Sequence, residues 1–273
     1  MNLSSYVSFF LNLLRNSDGR AASAKPWKVR RFGVKKQSLR KKGRHFFWRL
    51  ALGLALVIFV ALIYFVFTPN VSKLIKENPE KTAFMAYRER EWKKEGKNCR
   101  VDHRWVPLSR ISPFLIRAVT IAEDDKFWVH EGFDYDAIQK AVEKDIKAGE
   151  FKLGGSTISQ QLAKNLYLSP AKNPFRKARE AVITWRMEQA LTKRRILELY
   201  LNVIEWGDGI FGVEAAAQHY YGKSASNLTS HEAARLAAVL PNPRKYSPTG
   251  NHRYVVRRSN RIYRIMAKRE GER

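Results

Sequence analysis

Hydrophobic residues follow two patterns along this chain, and the first is one continuous run. Leu50 to Phe67 is an eighteen-residue stretch with no charge and no proline, and the uncharged stretch continues to Ser72. Because a helix needs about 20 apolar residues to cross a bilayer, the run predicts a transmembrane helix over residues 50–68. It is longer than the apolar region of a secretory signal and starts far from the N-terminus, which favours an uncleaved anchor. The alternative, a buried core helix, seldom stays apolar on every side.

The second pattern is apolar residues at helical spacing beyond residue 104. Ser112 followed by Pro113 is typical of a helix start, and an apolar stripe covers residues 114–122. Convincing strand patterns are scarce. We therefore predict a mainly α-helical domain over residues 105–273, joined to the membrane helix by a connector with short helical pieces, residues 69–104. The further helices predicted by periodicity span residues 134–148, 157–167, 175–191, 193–203, 212–221, 230–240 and 252–268.

Charge is strongly positive and unevenly distributed. The chain has 51 Lys and Arg against 25 Asp and Glu, a net charge of +26, with 45% hydrophobic residues. That apolar content excludes a disordered basic tail protein, and the charge first suggests nucleic acid. Residues 1–49, however, hold thirteen of the basic residues and a single acid. The positive-inside rule makes this segment a basic cytoplasmic tail against anionic head groups, so nucleic acid is not needed as a partner.

The rest of the chain keeps a smaller positive charge. Its 38 basic and 24 acidic residues leave +14 beyond residue 49, where anionic molecules at the membrane surface are the natural partners. A single cysteine, Cys99, excludes an intramolecular disulfide framework and a multi-cysteine metal site. The basic helix over residues 252–268 is compatible with two roles, covering the core or lying on head groups.

The first candidate site is EDDKFWVHEG, residues 123–132. Carboxylates at a helix C-terminus oppose the macrodipole, and adjacent ones raise each other's pKa by repulsion. A raised pKa suits a general base, and residues 127–129 offer an apolar wall beside it. The alternative is a solvated acidic helix end with His130 as an ordinary structural hydrogen-bonding residue, because short motif matches often arise by chance.

The second candidate site is GGSTISQQLAKN, residues 154–165. Thr157 and Gln160 have the spacing of a capping box, and a helix N-terminus preceded by glycines can bind an anion. Thr157, Gln161 and Lys164 share one helix face and can offer a hydroxyl, an amide and an ammonium to one ligand. The alternative is a capped amphipathic helix with a solvated polar side. The spacing of a P-loop is absent.

The third candidate site begins the segment FRKAREAVITWRMEQALTKRRILELYLN, residues 175–202. Arg176 and Glu180 are four residues apart, and Lys177 and Arg179 complete a basic turn around this one acid. The pattern leaves two interpretations open. One is a salt-bridged exposed helix face, and the other is a phosphate-binding patch whose carboxylate orients the cations or holds a divalent ion.

These segments and GIFGVEAAAQHYYGKSASNLTSHEAARLAAVLPNP, residues 209–243, resemble in order and spacing the successive motifs of the peptidoglycan glycosyltransferases, glycosyltransferase family fifty-one. The resemblance covers about residues 80–250 and implies a lysozyme-like all-helical domain. With one N-terminal anchor, the chain resembles the monofunctional transglycosylases of this family. We expect no transpeptidase domain, because S-x-N and K-T-G are absent and the chain stops too early to hold one.

The resemblance implies that lipid II, a disaccharide-pentapeptide on undecaprenyl pyrophosphate, is polymerised into β-1,4 glycan with inversion. It makes Glu123 the base that takes the proton of the acceptor 4-hydroxyl. It places Glu180 at the donor pyrophosphate, directly or through Mg²⁺ or Mn²⁺, and implies no organic cofactor. Arg176 and Lys164 would neutralise the leaving phosphates. The residues implied to bind substrate or shape its cleft are Asp124, Phe127, His130, Ser156, Thr157, Gln161, Lys164, Arg176 and Lys177, while Gly132, Asn202 and Gly212 look structural.

The resemblance also implies a single-pass protein of the inner membrane with its catalytic domain in the periplasm. Its partners would be lipid II, the growing glycan and membrane lipids, with cell-division or elongation proteins left open. Two rival functions remain from the residues. A lysozyme-like lytic transglycosylase would share the helical fold and a catalytic Glu but would gain nothing from a basic phosphate cleft. A non-enzymatic, membrane-anchored basic module would bind anionic polymers or recruit partners.

Overall fold

The computed structural model describes residues 36–148, 155–170 and 173–271. Residues 1–35 of the predicted basic tail and Gly154 of the second candidate site lie outside these ranges. Each helix predicted for the outer domain is present, and each start agrees within one residue. The helices are α1 (Lys36–Phe67), α2 (Ala83–Lys94), α3 (Pro113–Glu123), α4 (Tyr135–Ala148), α5 (Ile158–Tyr167), α6 (Pro174–Ala190), α7 (Lys193–Val203), α8 (Val213–Tyr221), α9 (Ser230–Val239) and α10 (Arg253–Gly271).

Helix α1 contains the apolar run. Within it, Phe46–Tyr64 is a 19-residue stretch long and apolar enough to cross a membrane, and none of it is buried in protein. It begins before the predicted Leu50 because the aromatic residues 46–48 extend the apolar surface. An apolar stretch with none of its residues buried in protein does not fit the core-helix alternative. The chain divides into compact units between Leu56 and Val57, while the proposed domain boundaries at residues 49, 68 and 104 remain predictions.

Residues 69–104 contain the short helical pieces expected there and also add to the core. The segment holds a 3-10 turn, Val71–Ile75, and helix α2. Val71, Leu74, Met85 and Trp92 are buried, because apolar side chains of this size gain free energy when they leave water. The connector is therefore packed onto the helical domain.

Two groups of helices form this domain. Helix α5 packs against α2, α6 and α7, while α3, α9 and α10 pack against one another. The apolar face predicted for α5 is fully formed, with Ile158, Leu162 and Leu166 buried. Helix α3 begins at Pro113 as predicted, but the Ser112 side chain makes no capping bond. Its hydroxyl instead donates to the Leu228 carbonyl at 2.8 Å, which ties α3 to the start of α9.

A small three-stranded sheet lies at the C-terminal end of α7. Strands β1 (Asp102–His103), β2 (Glu205–Gly207) and β3 (Ile210–Phe211) lie in the order β1-β3-β2. Asn202 is fully buried, accepts from the Val106 amide at 2.9 Å and donates to the Val106 carbonyl at 2.8 Å. Gly212 has a φ of +81° and a Cβ there would lie 2.7 Å from the Asn202 carbonyl oxygen. Both residues are structural, as predicted.

Helix α10 resolves the two roles left open for the basic C-terminal segment. Val255, Ser259, Ile262 and Met266 are buried and recur at helical spacing. This face packs on α3 and α9, so the helix covers the core. Its position also brings arginines from the end of the chain to the end of α3.

Candidate active site

Glu123 is the last residue of α3 and lies where the two helix groups meet. Its Oε2 accepts a hydrogen bond from Gln161 Nε2 of α5 at 3.0 Å. Its Oε1 accepts one from Arg258 Nη2 of α10 at 3.0 Å. The side chain is only 11% exposed. A carboxylate from one helix is thus held by donors from two others.

Burial is the main reason why the pKa of Glu123 is raised above its ordinary value. The hydrogen bonds from Gln161 and Arg258 and the charge of Lys164 act in the opposite direction. The cause differs from the one proposed from the sequence, which was repulsion by the adjacent carboxylates. Desolvation disfavours the charged form of a carboxyl group, so Glu123 has the raised basicity that a proton acceptor needs.

Gln161 is itself fixed by a buried tyrosine. Its Oε1 accepts from the Tyr200 hydroxyl at 2.9 Å, which orients its amide so that Nε2 donates to Glu123. Tyr200 is almost completely buried, and burial, with the negative charges of Glu123 and Asp124, raises the pKa of its hydroxyl. Tyr200 therefore stays protonated as a donor, and the chain from Tyr200 to Gln161 to Glu123 sets the orientation of the carboxylate.

Asp124 has a different role from its neighbour, because its carboxylate is turned inward and buried. It accepts from His130 Nε2 at 2.9 Å and from the Ile158 amide at 2.9 Å. The Gly132 amide donates to His130 Nδ1 at 3.0 Å, which places the ring proton on Nε2. Asp124 thus ties the start of α5 to the end of α3 and holds Gln161 in register with Glu123.

Thr157 lies at the same junction between α3 and α5. The helix-face pattern predicted that its hydroxyl is offered to a ligand, but the hydroxyl is engaged within the protein. The buried hydroxyl donates to the Gly132 carbonyl at 2.7 Å and accepts from the Gln160 amide at 3.2 Å. The capping box with Gln160 is formed. Gly132 has a φ of +91°, and a Cβ there would lie 2.9 Å from Glu188 Cγ, so only glycine fits.

The aromatic part of the first candidate segment is also divided between core and surface. Phe127 is fully buried and packs edge-on against the His130 ring, with centroids 6.2 Å apart. Trp128 and Val129 are exposed. Phe127 therefore supports the Asp124–His130 pair from the core, and the apolar wall expected from residues 127–129 is not formed as one surface.

We expect Asp124→Ala to lower the free energy of unfolding by about 2 to 4 kcal/mol, because it leaves the Ile158 amide and His130 Nε2 without an acceptor in a buried position. Chemical denaturation of the detergent-solubilised protein measures the change. Asp125→Ala is the matched control, because Asp125 is exposed and bound to Arg269 at the surface, where an ion pair contributes about 1 kcal/mol or less. Equal losses in the two variants would contradict the assigned role of Asp124.

The third candidate segment forms a compact cluster of charges on α6. Glu180 is buried, with 2% of its surface exposed. Its Oε2 accepts from Arg176 Nη1 at 2.8 Å, and its Oε1 accepts from the Lys177 ammonium. Lys177 also lies 3.5 Å from the Ser156 hydroxyl before α5. An exposed salt-bridged face is excluded by this burial, so the interpretation as a ligand-binding patch is favoured.

Lys164 lies close enough to both Glu123 and Glu180 to interact with their charges. Burial, with the nearby charges of Arg176 and Lys177, lowers its pKa, while Glu180 and Glu123 act to raise it. Its ammonium makes no hydrogen bond within the described part of the chain. A partly buried cation without such a bond is poised to accept an anionic group from a ligand.

Two cavities that share lining residues run along this part of the molecule. One of about 1110 Å³ is lined by the Ser156, Gln161, Lys164, Arg176, Lys177 and Glu180 side chains, among others. A second of about 230 Å³ shares Phe84, Gln161 and Lys164 with it and extends towards Tyr200, Glu205 and Arg244. Glu123 contacts the cleft through its hydrogen bond with Gln161, which lines both cavities. The cleft is therefore basic at one end and has a buried carboxylate beside it.

A third cavity borders the last turn of α3. It has a volume of about 760 Å³ and is lined by Ile121, Ala122 and the α10 arginines Arg253, Arg257, Arg258 and Arg261, among others. Arg258 connects this cavity with Glu123. Glu123 thus contacts one lining residue of each cavity, Gln161 and Arg258, and both cavities are lined by cationic side chains.

Two residues of this site, Tyr200 and Arg258, are not among those predicted from the sequence. Arg258 is 135 residues from Glu123 and Tyr200 is 39 residues from Gln161, so no local motif joins them. A signal for Arg258 was present, because it follows Val255 by three residues and precedes Ile262 by four. That spacing puts it next to the buried face of α10.

The chain is similar in sequence to known transglycosylases. The family model described as transglycosylase matches residues 91–267. A biosynthetic peptidoglycan transglycosylase of Methylobacillus flagellatus is 50% identical over 219 residues, covering 80% of this chain and 95% of the relative. One of Azoarcus sp. (strain BH72) is 60% identical over 169 residues, covering 62% of this chain and 73% of the relative. The chain therefore belongs to the transglycosylase family.

Proposed function

We propose that this chain polymerises lipid II into β-1,4-linked glycan strands of peptidoglycan. Its enzyme class is peptidoglycan glycosyltransferase, in accord with the family and with relatives bearing that name. The observation that carries the proposal is a buried, hydrogen-bonded Glu123 beside a cleft that contains Lys164, Arg176 and Lys177. Transfer from a lipid pyrophosphate needs one base and several cations, and Glu123 together with the basic residues of the adjacent cleft supplies both.

Glu123 is proposed as the base for the acceptor. In the transfer, the 4-oxygen of the acceptor N-acetylglucosamine forms a bond to the anomeric carbon of the donor, and the bond from that carbon to the pyrophosphate oxygen breaks. Glu123 takes the hydroxyl proton, and the leaving pyrophosphate takes the bonding electrons. Direct displacement gives inversion at the anomeric carbon.

The cations on α5 and α6 stabilise the leaving group. Negative charge grows on the bridging oxygen as the bond breaks, and fixed donors in a water-poor site stabilise such charge strongly. Arg176 and Lys177 are already oriented by Glu180, so little reorganisation is needed when the pyrophosphate binds. Lys164 adds a third charge nearer to Glu123. Glu180 therefore acts as a positioning residue for two of the three cations.

The proposal includes a divalent ion only as one that the substrate pyrophosphate carries into the site. Groups of three or more metal-ligating side chains are absent from the described residues, and both oxygens of Glu180 are already engaged by cations. These residues alone do not make a Mg²⁺ or Mn²⁺ site. Mg²⁺ commonly binds one or two carboxylates together with substrate phosphates, so an ion carried by the pyrophosphate would have Glu180 as its protein ligand.

The membrane helix supports a membrane-associated enzyme acting on a lipid-linked substrate. We propose that it anchors the chain in the inner membrane with residues 1–49 in the cytoplasm and the catalytic domain in the periplasm, in accord with the positive-inside rule. Membrane lipids and, through complexes of cell division or elongation, other proteins are proposed as partners.

The proposal is tested by incubating the purified full-length chain with radiolabelled lipid II in detergent micelles or liposomes. The expected product is long glycan. A muramidase should digest it, and NMR should show that the new linkages have the β configuration. A parallel reaction offers preformed glycan. Shortening of that glycan without polymer formation would favour the lytic rival, whereas binding of lipid II without either reaction would favour the non-enzymatic module.

A further inference from the structure

Arg258 is the described residue of the C-terminal helix that hydrogen-bonds to Glu123. Its Nη2 donates to Glu123 Oε1 at 3.0 Å and to the Ala122 carbonyl at 3.1 Å. The Ala122 carbonyl belongs to the last turn of α3, where helix carbonyls have no intrahelical partner. One guanidinium nitrogen thus caps α3 and binds its terminal carboxylate.

The position of Arg258 leaves one of its own hydrogen-bond donors unsatisfied. Arg258 Nε is buried and has no hydrogen-bond partner among the described residues, so the guanidinium is not positioned to satisfy all of its own donors. A carboxylate at a helix C-terminus faces the negative end of the macrodipole, and a cation there is favourable. Arg258 therefore compensates the electrostatic conflict that α3 creates by ending in Glu123.

We infer that Arg258 is a positioning residue for Glu123, which fixes the orientation of the carboxylate and keeps it ionised. The inference rests on the proposed function, because it assumes that Glu123 is the base. Gln161 on α5 binds one carboxylate oxygen and Arg258 on α10 binds the other. Each oxygen keeps a second lone pair for the acceptor hydroxyl.

Three other charged or titratable groups lie near Glu123: Lys164, Tyr200 and Asp124. Lys164 of α5 has a favourable but smaller effect on the carboxylate than Arg258. Tyr200 of α7 remains neutral, and Asp124 is turned away towards His130 and the start of α5. Arg258 is therefore the principal charge that opposes the effect of burial on Glu123.

The test compares pH profiles of kcat/KM for the wild-type chain, Arg258→Met, Arg258→Lys and Arg261→Met. The acidic limb of such a profile reports the pKa of the base in the free enzyme. Without the Arg258 charge, burial is less opposed, the pKa of Glu123 rises further, and the base is protonated at higher pH. We expect the acidic limb of Arg258→Met to move upward by about one pH unit, since a nearby opposite charge shifts a carboxyl pKa by about 1 to 3 units.

The lysine variant separates charge from geometry. Arg258→Lys keeps the charge but cannot reproduce the rigid guanidinium fork, so its limb should stay near the wild-type position while kcat falls, by about tenfold. Arg261→Met is the matched control, because Arg261 lines the same cavity and has no hydrogen bond to Glu123 in the described structure. Its acidic limb should not move.

Three outcomes decide the inference. A limb that moves only in Arg258→Met, with activity recovering at higher pH, supports it. Reduced activity at every pH with an unmoved limb in Arg258→Met, or in Arg258→Gln if the methionine variant does not fold, would mean that the arginine only docks α10, and the inference would be wrong. Polymerisation by Glu123→Gln at the wild-type rate would instead overturn the proposed base itself.

Discussion

Glu123→Gln is expected to lower the rate of glycan polymerisation by about 10²- to 10⁴-fold, the contribution of a well-placed general base. The substitution keeps the size of the side chain but removes the basic oxygen. It also puts an amide NH₂ against a donor, because Gln161 approaches one carboxylate oxygen and Arg258 the other. Turnover of labelled lipid II at saturating concentration measures the effect.

The control is Asp125→Asn, which removes a carboxylate two positions along the chain. Asp125 is exposed and paired with Arg269, so we expect polymerisation within about twofold of the wild-type rate, as for surface substitutions away from a site. The acidic limb of the wild-type pH–activity profile tests the raised pKa of Glu123 independently. Because burial raises the pKa of Glu123, activity should fall as the pH drops through a value above the ordinary Glu pKa of about 4.3. A limb at or below that value would contradict the buried base.

Lys164→Met is expected to reduce kcat/KM by about 10²- to 10³-fold, the loss seen when one preorganised donor to a developing negative charge is removed. The same change should leave the free energy of unfolding unchanged or raised. Burial lowers the pKa of Lys164, which means that the charged form opposes folding, and methionine removes that cost. Activity and denaturation measured on one preparation test both parts.

Arg176→Met provides the contrast from within the same cluster. It also removes a phosphate-binding charge, but Arg176 is a partner of the buried Glu180. Breaking a buried ion pair from one side is destabilising by about 3 to 5 kcal/mol, reduced here because Lys177 remains as a second partner. We expect loss of both activity and stability. Equal stability of the two methionine variants would contradict the assignment of Lys164 as the cation held for the ligand.

Local sequence patterns were sufficient for the helices and for contacts within one helix or turn. The apolar spacing predicted the α5 face, Thr157 and Gln160 predicted the capping box, and the four-residue spacing of Arg176 and Glu180 predicted their contact. Each of these depends on neighbours in the chain, and helix geometry fixes their relative positions. The resemblance to a known family selected Glu123 from three adjacent carboxylates, a choice that composition and spacing alone left open.

The sequence by itself therefore determined the membrane run, the helical architecture, the family and the identity of the charged groups in the cleft. Only the tertiary structure decided that Glu123 binds the cleft residue Gln161 while Asp124 is turned inward, because the partners of both carboxylates come from other helices far along the chain. It also decided that burial, rather than repulsion between neighbours, raises the pKa of Glu123. Desolvation depends on how the helices pack around a side chain, and no local pattern contains that information.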